Sequence, residues 1–250
     1  MKAVIAAIAL CAATAIPAAA FDPAAMDDAQ KEAFGDAVRE YLMTNPEVLV
    51  EAINALESRR AEQEFHNDRL LVQNNQAEIF EDGHSWVGGN PEGDITLVEF
   101  VDYRCGYCRR VSPEVEKLVQ EDGNIRFILK EFPILGQESD LAARFAVATQ
   151  QIAGADAYKN AHDALIEMRG AVTTESLTAL AGDLGLDAQA VINRMNTEEV
   201  SEVIRKNRQL AERMAIMGTP TFIIGTEMLR GVPQAGLAAA VEQARQAAEG

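Results

Sequence analysis

An α/β layer with an inserted helical subdomain and a helical N-terminal extension is the fold class this sequence predicts. Three observations carry it. Strand-like runs at 95–101 and 125–132 bracket a helical stretch that begins at Cys105. A helical pattern then fills 137–217, and two short strand patterns followed by a helix close the chain. Strand, helix, strand, helical block, two strands and helix is the order of an α/β layer interrupted by an insert.

The chain opens on Met1-Lys2, an uncharged apolar run from Ala3 to Ile16, and Ala18-Ala19-Ala20 before Phe21 and Asp22. That pattern predicts a cleaved secretory signal over 1–20, and hence a periplasmic location. A membrane anchor would need about 20 apolar residues, whereas this run breaks at Pro17. A lipid anchor on Cys11 is the alternative, although Leu10 is bulky where such signals resemble one another in carrying a small residue. Cleavage would remove Lys2 and Cys11, so the odd count of three cysteines reduces to Cys105 and Cys108.

Residues 22–85 hold 15 acidic and 5 basic side chains, a net charge of −10. Phe34, Val38, Tyr41 and Leu42 recur at helical spacing between Asp28 and Met43. Asn45-Pro46 predicts an N-cap with proline at the first helical position. The helix it starts is expected to run to about Asp82, with Leu49, Ile53 and Leu56 on one stripe. Beyond Leu56 the stripe turns polar. A long, mostly polar helix needs charge pairs or a partner, so 21–85 is predicted to be a stalk or an oligomerisation segment.

Gly83, Gly88-Gly89, Pro91 and Gly93 then punctuate the chain. The domain boundary is expected there, with 86–250 forming the α/β domain and its helical insert at about 137–217. Breaks in the insert are expected near Gly154, Gly170 and Gly182 to Gly185. The strand 95–101 carries Glu99 where a buried apolar residue would be expected. Late strands are expected at Thr221–Ile224 and Met228–Gly231, and a closing helix at Ala235–Ala248.

Composition narrows the function classes. The 250 residues suit one or two domains. Apolar residues at 48% and charged residues at 24% are ordinary for a globular chain. A net charge of −17, from 22 basic against 39 acidic residues, argues against a nucleic-acid partner, which needs a basic surface.

Cys105-Gly106-Tyr107-Cys108 sits where a strand hands over to a helix. A thiol at a helix N-terminus feels the positive end of the backbone dipole, which favours the attacking thiolate. Two residues of spacing let the second sulfur resolve a mixed disulfide formed by the first. Arg104, Arg109 and Arg110 surround the pair, either as thiolate partners or as a solvated basic rim. Zinc would need four ligands, and His66, His84 and His162 are far away in sequence. A structural disulfide two residues apart would close almost no loop. Copper(I) suits two soft thiolates as a secondary role. Redox exchange is the leading expectation, with no resident metal and no cofactor.

Val98-Glu99-Phe100, Cys105-Gly106-Tyr107-Cys108 and Gly218-Thr219-Pro220-Thr221 together resemble the DsbA-like branch of the thioredoxin superfamily. The resemblance implies a thioredoxin-like fold with a helical insert. The acidic N-terminal helices, the Gly-Tyr dipeptide and the threonine before proline are similar, more narrowly, to the suppressor-of-copper-sensitivity protein C group of periplasmic disulfide isomerases. By that resemblance Cys105 is the exposed nucleophile and Cys108 the buried resolving thiol. Glu99 is the buried acid beneath them, able to take the Cys108 proton because burial raises its basicity; a solvent-facing edge position is the alternative. Thr219-Pro220 corresponds to a cis-proline loop that binds extended substrate, with Gly106 and Tyr107 on the same substrate-facing side. Pro113 would bend the active-site helix, and Met214 and Met217, at helical spacing, are expected in the core.

The resemblance implies a disulfide isomerase or reductase acting on unfolded or misoxidised exported proteins. It also implies a trimer formed through the N-terminal helices, recharged by an inner-membrane thiol reductase. The alternatives are a disulfide-donating oxidase, from whose strongly oxidising members the Gly-Tyr pair departs, and a copper(I)-binding module.

Overall fold

A computed structural model describes residues 25–249. The predicted leader at 1–20 and Cys11 lie outside them. By backbone contacts the chain divides into Met1–Arg59 and Arg60–Gly250.

In the first unit, α1 (Asp28–Thr44) begins with a capping box in which Asp27 and Gln30 exchange hydrogen bonds, satisfying N–H groups that the first turn cannot. Asn45 Nδ2 donates to Tyr41 O at 2.9 Å, so Asn45 closes α1. The next helix, α2 (Glu47–Asn74), starts one residue beyond Pro46. No residue of α1 is buried, and Val38, Tyr41, Leu49, Ile53 and Leu56 are all exposed.

The predicted single helix to Asp82 is broken in two. Asn75 donates its side-chain amide to Leu71 O at 2.8 Å, which satisfies the last turn of α2 and interrupts the backbone ladder. A short α3 (Gln76–Phe80) follows. The glycine-rich stretch is not a bare linker either, since Trp86–Gly89 forms β1. Glycine is required there by close approach. A Cβ on Gly89, whose φ is +66°, would lie 2.4 Å from Ile125 O, and one on Gly88 would enter the Trp86 ring.

The remaining elements are β2 (Ile95–Val101), α4 (Gly106–Asp122), β3 (Ile125–Glu131), α5 (Gln137–Glu167), α6 (Thr174–Asp183), α7 (Ala188–Met195), α8 (Glu198–Arg213), β4 (Thr221–Ile224), β5 (Glu227–Arg230) and α9 (Leu237–Glu249). α5 kinks at Gly154, where φ is 86°. The sheet runs β1-β3-β2-β4-β5, with β2 and β3 parallel and the other neighbours antiparallel. The α/β layer with a helical insert that the sequence predicts is present, its sheet is mixed, and β2 is central rather than an edge.

Alternation along β2 and β3 sends side chains to two cores. Leu97, Val101, Phe127 and Leu129 pack with residues of α4, α5 and α9 on one face. Val98, Phe100 and Ile128 pack with Val72, Ile79, Leu210 and Met214 on the other. Each large side chain so buried contributes about 1.5–3 kcal/mol. Residues of α2 beyond Arg60, together with α3, therefore belong to the second unit, and the contact boundary falls earlier than the glycine run. Met217 departs from its expected core position: it is 88% exposed, while Met214 is fully buried. Ala215, with φ 51°, turns the chain between them. No helix among the described residues is long and apolar enough to cross a membrane.

Candidate active site

The short link from β2 to α4 aims the cysteines. Asp102 is buried, accepts Arg104 N at 2.8 Å, and accepts Ile134 N and Leu135 N at 2.8 and 3.0 Å. One carboxylate thus fixes both the turn before Cys105 and the loop after β3. Cys105 is the N-cap of α4, and its sulfur accepts the Cys108 amide at 3.5 Å. The sulfur occupies the position where capping side chains receive the orphan N–H groups of a helix start.

Both cysteines are free thiols. Cys108 is fully buried. Cys105, expected to be exposed, is 6% accessible, because the loop before β4 covers it: its sulfur donates to Thr219 O at 3.2 Å. Thr219-Pro220 is a cis peptide bond, and Thr221 Oγ1 braces the loop by donating to Gly218 O at 2.8 Å. Tyr107, Val111, Met217, Thr219, Pro220 and Val232 line a groove of about 790 Å³ beside this loop. Tyr107 is 69% exposed, with the Arg110 guanidinium stacked 5.2 Å from its ring centroid. Gly106 begins the helix, and a Cβ there would meet nothing within 4 Å.

Arg104 and Arg109 are neither thiolate partners nor a solvated rim. Arg104 binds Glu138 at 3.2 Å and Gly170 O at 2.9 Å. Arg109 donates to Ile166 O at 2.7 Å and to Met168 O. Arg109 satisfies carbonyls at the end of α5, where a helix leaves acceptors unpaired, and Arg104 one in the loop just beyond it. The pair therefore ties α4 to the insert.

Glu99 lies on β2 between Leu129 of β3 and Phe222 of β4 and is 3% exposed. Burial, followed by the like charges of Glu116, Cys105 and Glu131, pushes its carboxyl up to about 8. Burial and the Glu99 charge push the Cys108 thiol well above the ordinary thiol range, against a backbone hydrogen bond from Asp102. A carboxyl and a thiol so coupled can pass one proton between them at neutral pH.

A buried acid whose folded pKa is raised from 4.5 to about 8 contributes its stability below 4.5 and loses it as pH rises through 8. Glu99→Gln is accordingly expected to be more stable than the parent chain at pH 7 by about 2–3 kcal/mol. Urea unfolding at pH 4 and pH 8 checks this: the gap should open with pH, and equal midpoints at both would refute it.

The sequence did not single out Glu131, Tyr103 or Tyr158. Glu131 is 3% exposed and accepts Tyr103 Oη at 2.7 Å and Tyr158 Oη at 2.6 Å. Its signal was available: an acidic residue inside the apolar run 125–132, the same anomaly that marks Glu99. Glu116, His162 and Asp163 form a cluster that could ligate a metal. Lys159 already meets both carboxylates, at 3.0 and 2.7 Å, which puts a cation where a metal would sit.

Residues 96–240 match the DSBA-like thioredoxin domain family. The chain belongs to that family. Residues 30–63 match the copper resistance protein ScsC N-terminal domain. The described chain is similar to a thioredoxin-like oxidoreductase from Silicibacter pomeroyi DSS-3, with 40% identity, 69% of this chain and 98% of that one covered, and a TM-score of 0.64. It is also similar to Proteus mirabilis ScsC in a transitional conformation, at 25% identity, 89% and 100% coverage and a TM-score of 0.66. A stretch of 138 residues is 28% identical to the Na(+)/H(+) antiporter NhaA 1 of Salinispora arenicola, covering 55% of this chain. The chain spans only 21% of that relative's length. The DsbA-like domain accounts for β2 through the start of α9, and so contains every residue of the site.

Proposed function

We propose that this protein is a periplasmic thiol-disulfide oxidoreductase that works as a disulfide isomerase or reductase on misoxidised exported proteins. The observation that carries it is the meeting of three things at one point: Cys105 capping α4, the cis Thr219-Pro220 loop against its sulfur, and buried Glu99 coupled to Cys108. Cys105 attacks a substrate disulfide, and the groove holds the extended segment beside Tyr107, Thr219 and Pro220. Isomerisation follows when the substrate's own thiol displaces Cys105. Reduction follows when Cys108 does, with Glu99 taking its proton. The signal-like segment at 1–20 supports export, and use in the reduced state calls for a thiol reductase of the inner membrane.

An isomerase gains from several sites facing one substrate, because the second encounter is then intramolecular. The exposed apolar residues of α1 and of α2 up to Arg59 support self-association, and the resemblance to the suppressor-of-copper-sensitivity protein C group implies a trimer as its form. Val38→Glu with Ile53→Glu is expected to shift the protein to the monomer mass in light scattering while insulin reduction persists. Unchanged mass in this variant would sink the assembly role. An isolated reduction potential near about −120 mV, that of a strong oxidant, would favour the oxidase reading instead.

A further inference from the structure

Glu131 is a buried carboxyl that the exchange steps above leave unused. Val101 pairs with Glu131 in the parallel β2–β3 register, and Glu99 pairs with Leu129. Side chains two apart on a strand share a face. Glu99 and Glu131 therefore project from the same side of the sheet, on adjacent strands, toward the core that holds α4 and α5.

Their hydrogen bonding is unequal. Glu131 Oε1 accepts two tyrosine hydroxyls, while its Oε2 is buried with no partner. Burial and like charge act on Glu99 with no donor to offset them. Burial also pushes Glu131 up to about 8, but both tyrosines pull against it. Two buried carboxyls on one face do not both ionise readily, and the one that receives hydrogen bonds ionises first as pH rises, its charge then raising the other. The first to ionise is Glu131.

Other ionisable groups face the pair. Glu116, Cys105 and Cys108 approach Glu99 from α4, and Tyr158 from α5. Glu116 is partly exposed and its charge is met by Lys159 at 3.0 Å. Asp102 faces Glu131 from the end of β2, with its oxygens already taken by three amides. His162 Nδ1 lies 3.1 Å from Tyr103 Oη, and burial pushes this imidazole down to about 3, so it adds no charge at neutral pH.

We propose that Glu131 is a positioning residue for thiol-disulfide exchange, holding the negative charge of the buried pair so that Glu99 is the carboxyl that takes and keeps the Cys108 proton. This rests on the exchange function proposed above. In the step concerned, the Cys108 S–H bond breaks and a Glu99 O–H bond forms. The Cys108 sulfur then bonds to the Cys105 sulfur, and the bond from Cys105 to substrate breaks. The substrate leaves as a thiolate carrying two electrons, the protein keeps the Cys105–Cys108 disulfide, and water later protonates the thiolate. The tyrosine-held charge of Glu131 makes the ionised Glu99 a stronger base for that transfer.

The test is rapid mixing of the reduced full-length protein with excess oxidised glutathione, acid quenching, and resolution of mixed from internal disulfide by mass, across pH 5 to 9. Closure of the internal disulfide is expected to have an acid-limb midpoint set by Glu99. Glu131→Gln, which keeps an acceptor for the tyrosines, should move that midpoint down by about one pH unit, the scale on which interacting sites couple. Tyr158→Phe should move it in the same direction by less, since it weakens the hold on the Glu131 charge. A purely structural role would slow closure at every pH without moving the midpoint. An unmoved midpoint in either folded variant overturns the inference, while a parent chain that forms neither disulfide overturns the exchange function itself.

Discussion

Replacing Cys108 with serine is expected to stop exchange half-way, leaving Cys105 joined to its substrate. The physical reason is burial. Cys108 is sealed beneath the start of α4 and its thiol is held far above the ordinary range, so it cannot begin an exchange with a protein-sized partner. Cys105 can, because its sulfur lies under a loop beside an open groove and caps the helix with its thiolate form able to accept the Cys108 amide. The Cys108→Ser variant should accumulate mixed disulfides through Cys105 and turn over no insulin. Cys105→Ser should form no mixed disulfide at all, because serine at its ordinary acidity is a weak nucleophile. Peptide mapping under non-reducing conditions reads both, and an adduct on Cys108 in the Cys105→Ser chain would reverse the assignment. Glu99→Gln should lie between them, closing its disulfide about 10²-fold more slowly at neutral pH, the lower end of what a positioned base contributes.

The second large effect is on stability. Lys130 is fully buried on the sheet face opposite the cysteines, donating to Asp82 Oδ2 at 2.5 Å, Glu78 O at 2.8 Å and Ser85 Oγ at 3.3 Å. It thereby ties the segment after α3 to β3. Lys130→Met is expected to cost about 3–5 kcal/mol, because removing one partner strands the other charge in the interior. Asp82→Leu in the same chain should recover part of that loss, since it removes the stranded charge but leaves the His84 and Ser85 amides without their acceptor. Urea denaturation of the three chains checks both statements. Acid should narrow the difference. Burial alone would raise the Asp82 carboxyl, but the Lys130 ammonium and the Ser85 hydrogen bonds outweigh it and hold it at about 2 against an ordinary 3.8. The stability it contributes is present above 3.8 and lost as pH falls through 2, so the gap between the parent chain and Lys130→Met should close over that range.

The fold was largely legible because its signals are local: short apolar runs at 95–101 and 125–132, and glycines at the kink in α5 and at the breaks before α6 and α7, whereas the break between α7 and α8 at Asn196-Thr197 carries none. What was hidden depends on tertiary contact. Gly88 and Gly89 look like a linker, yet they are glycines because β1 lies too close to β3 and Trp86 for a Cβ. Asn75 stops a helix through one side-chain hydrogen bond that no periodicity reveals. Within the site, the strand position of Glu99 and the Cys-Gly-Tyr-Cys and Thr-Pro segments stood out as local motifs. The partners of Arg104 and Arg109 did not, since the carbonyls they satisfy lie some 60 positions away, at the end of α5 and in the loop just beyond it. Glu131 had the same acidic-in-apolar mark as Glu99, but only the register of β2 against β3 puts the two on one face. Met217 followed helical spacing from Met214, and the turn at Ala215 broke the inference.

Incubation of the reduced, full-length protein with a scrambled disulfide substrate, in the absence of metal, tests the central claim most directly. Recovery of native substrate activity, lost in Cys105→Ser, is the predicted result. A metal-free protein that neither recovers the substrate nor reduces insulin would contradict it.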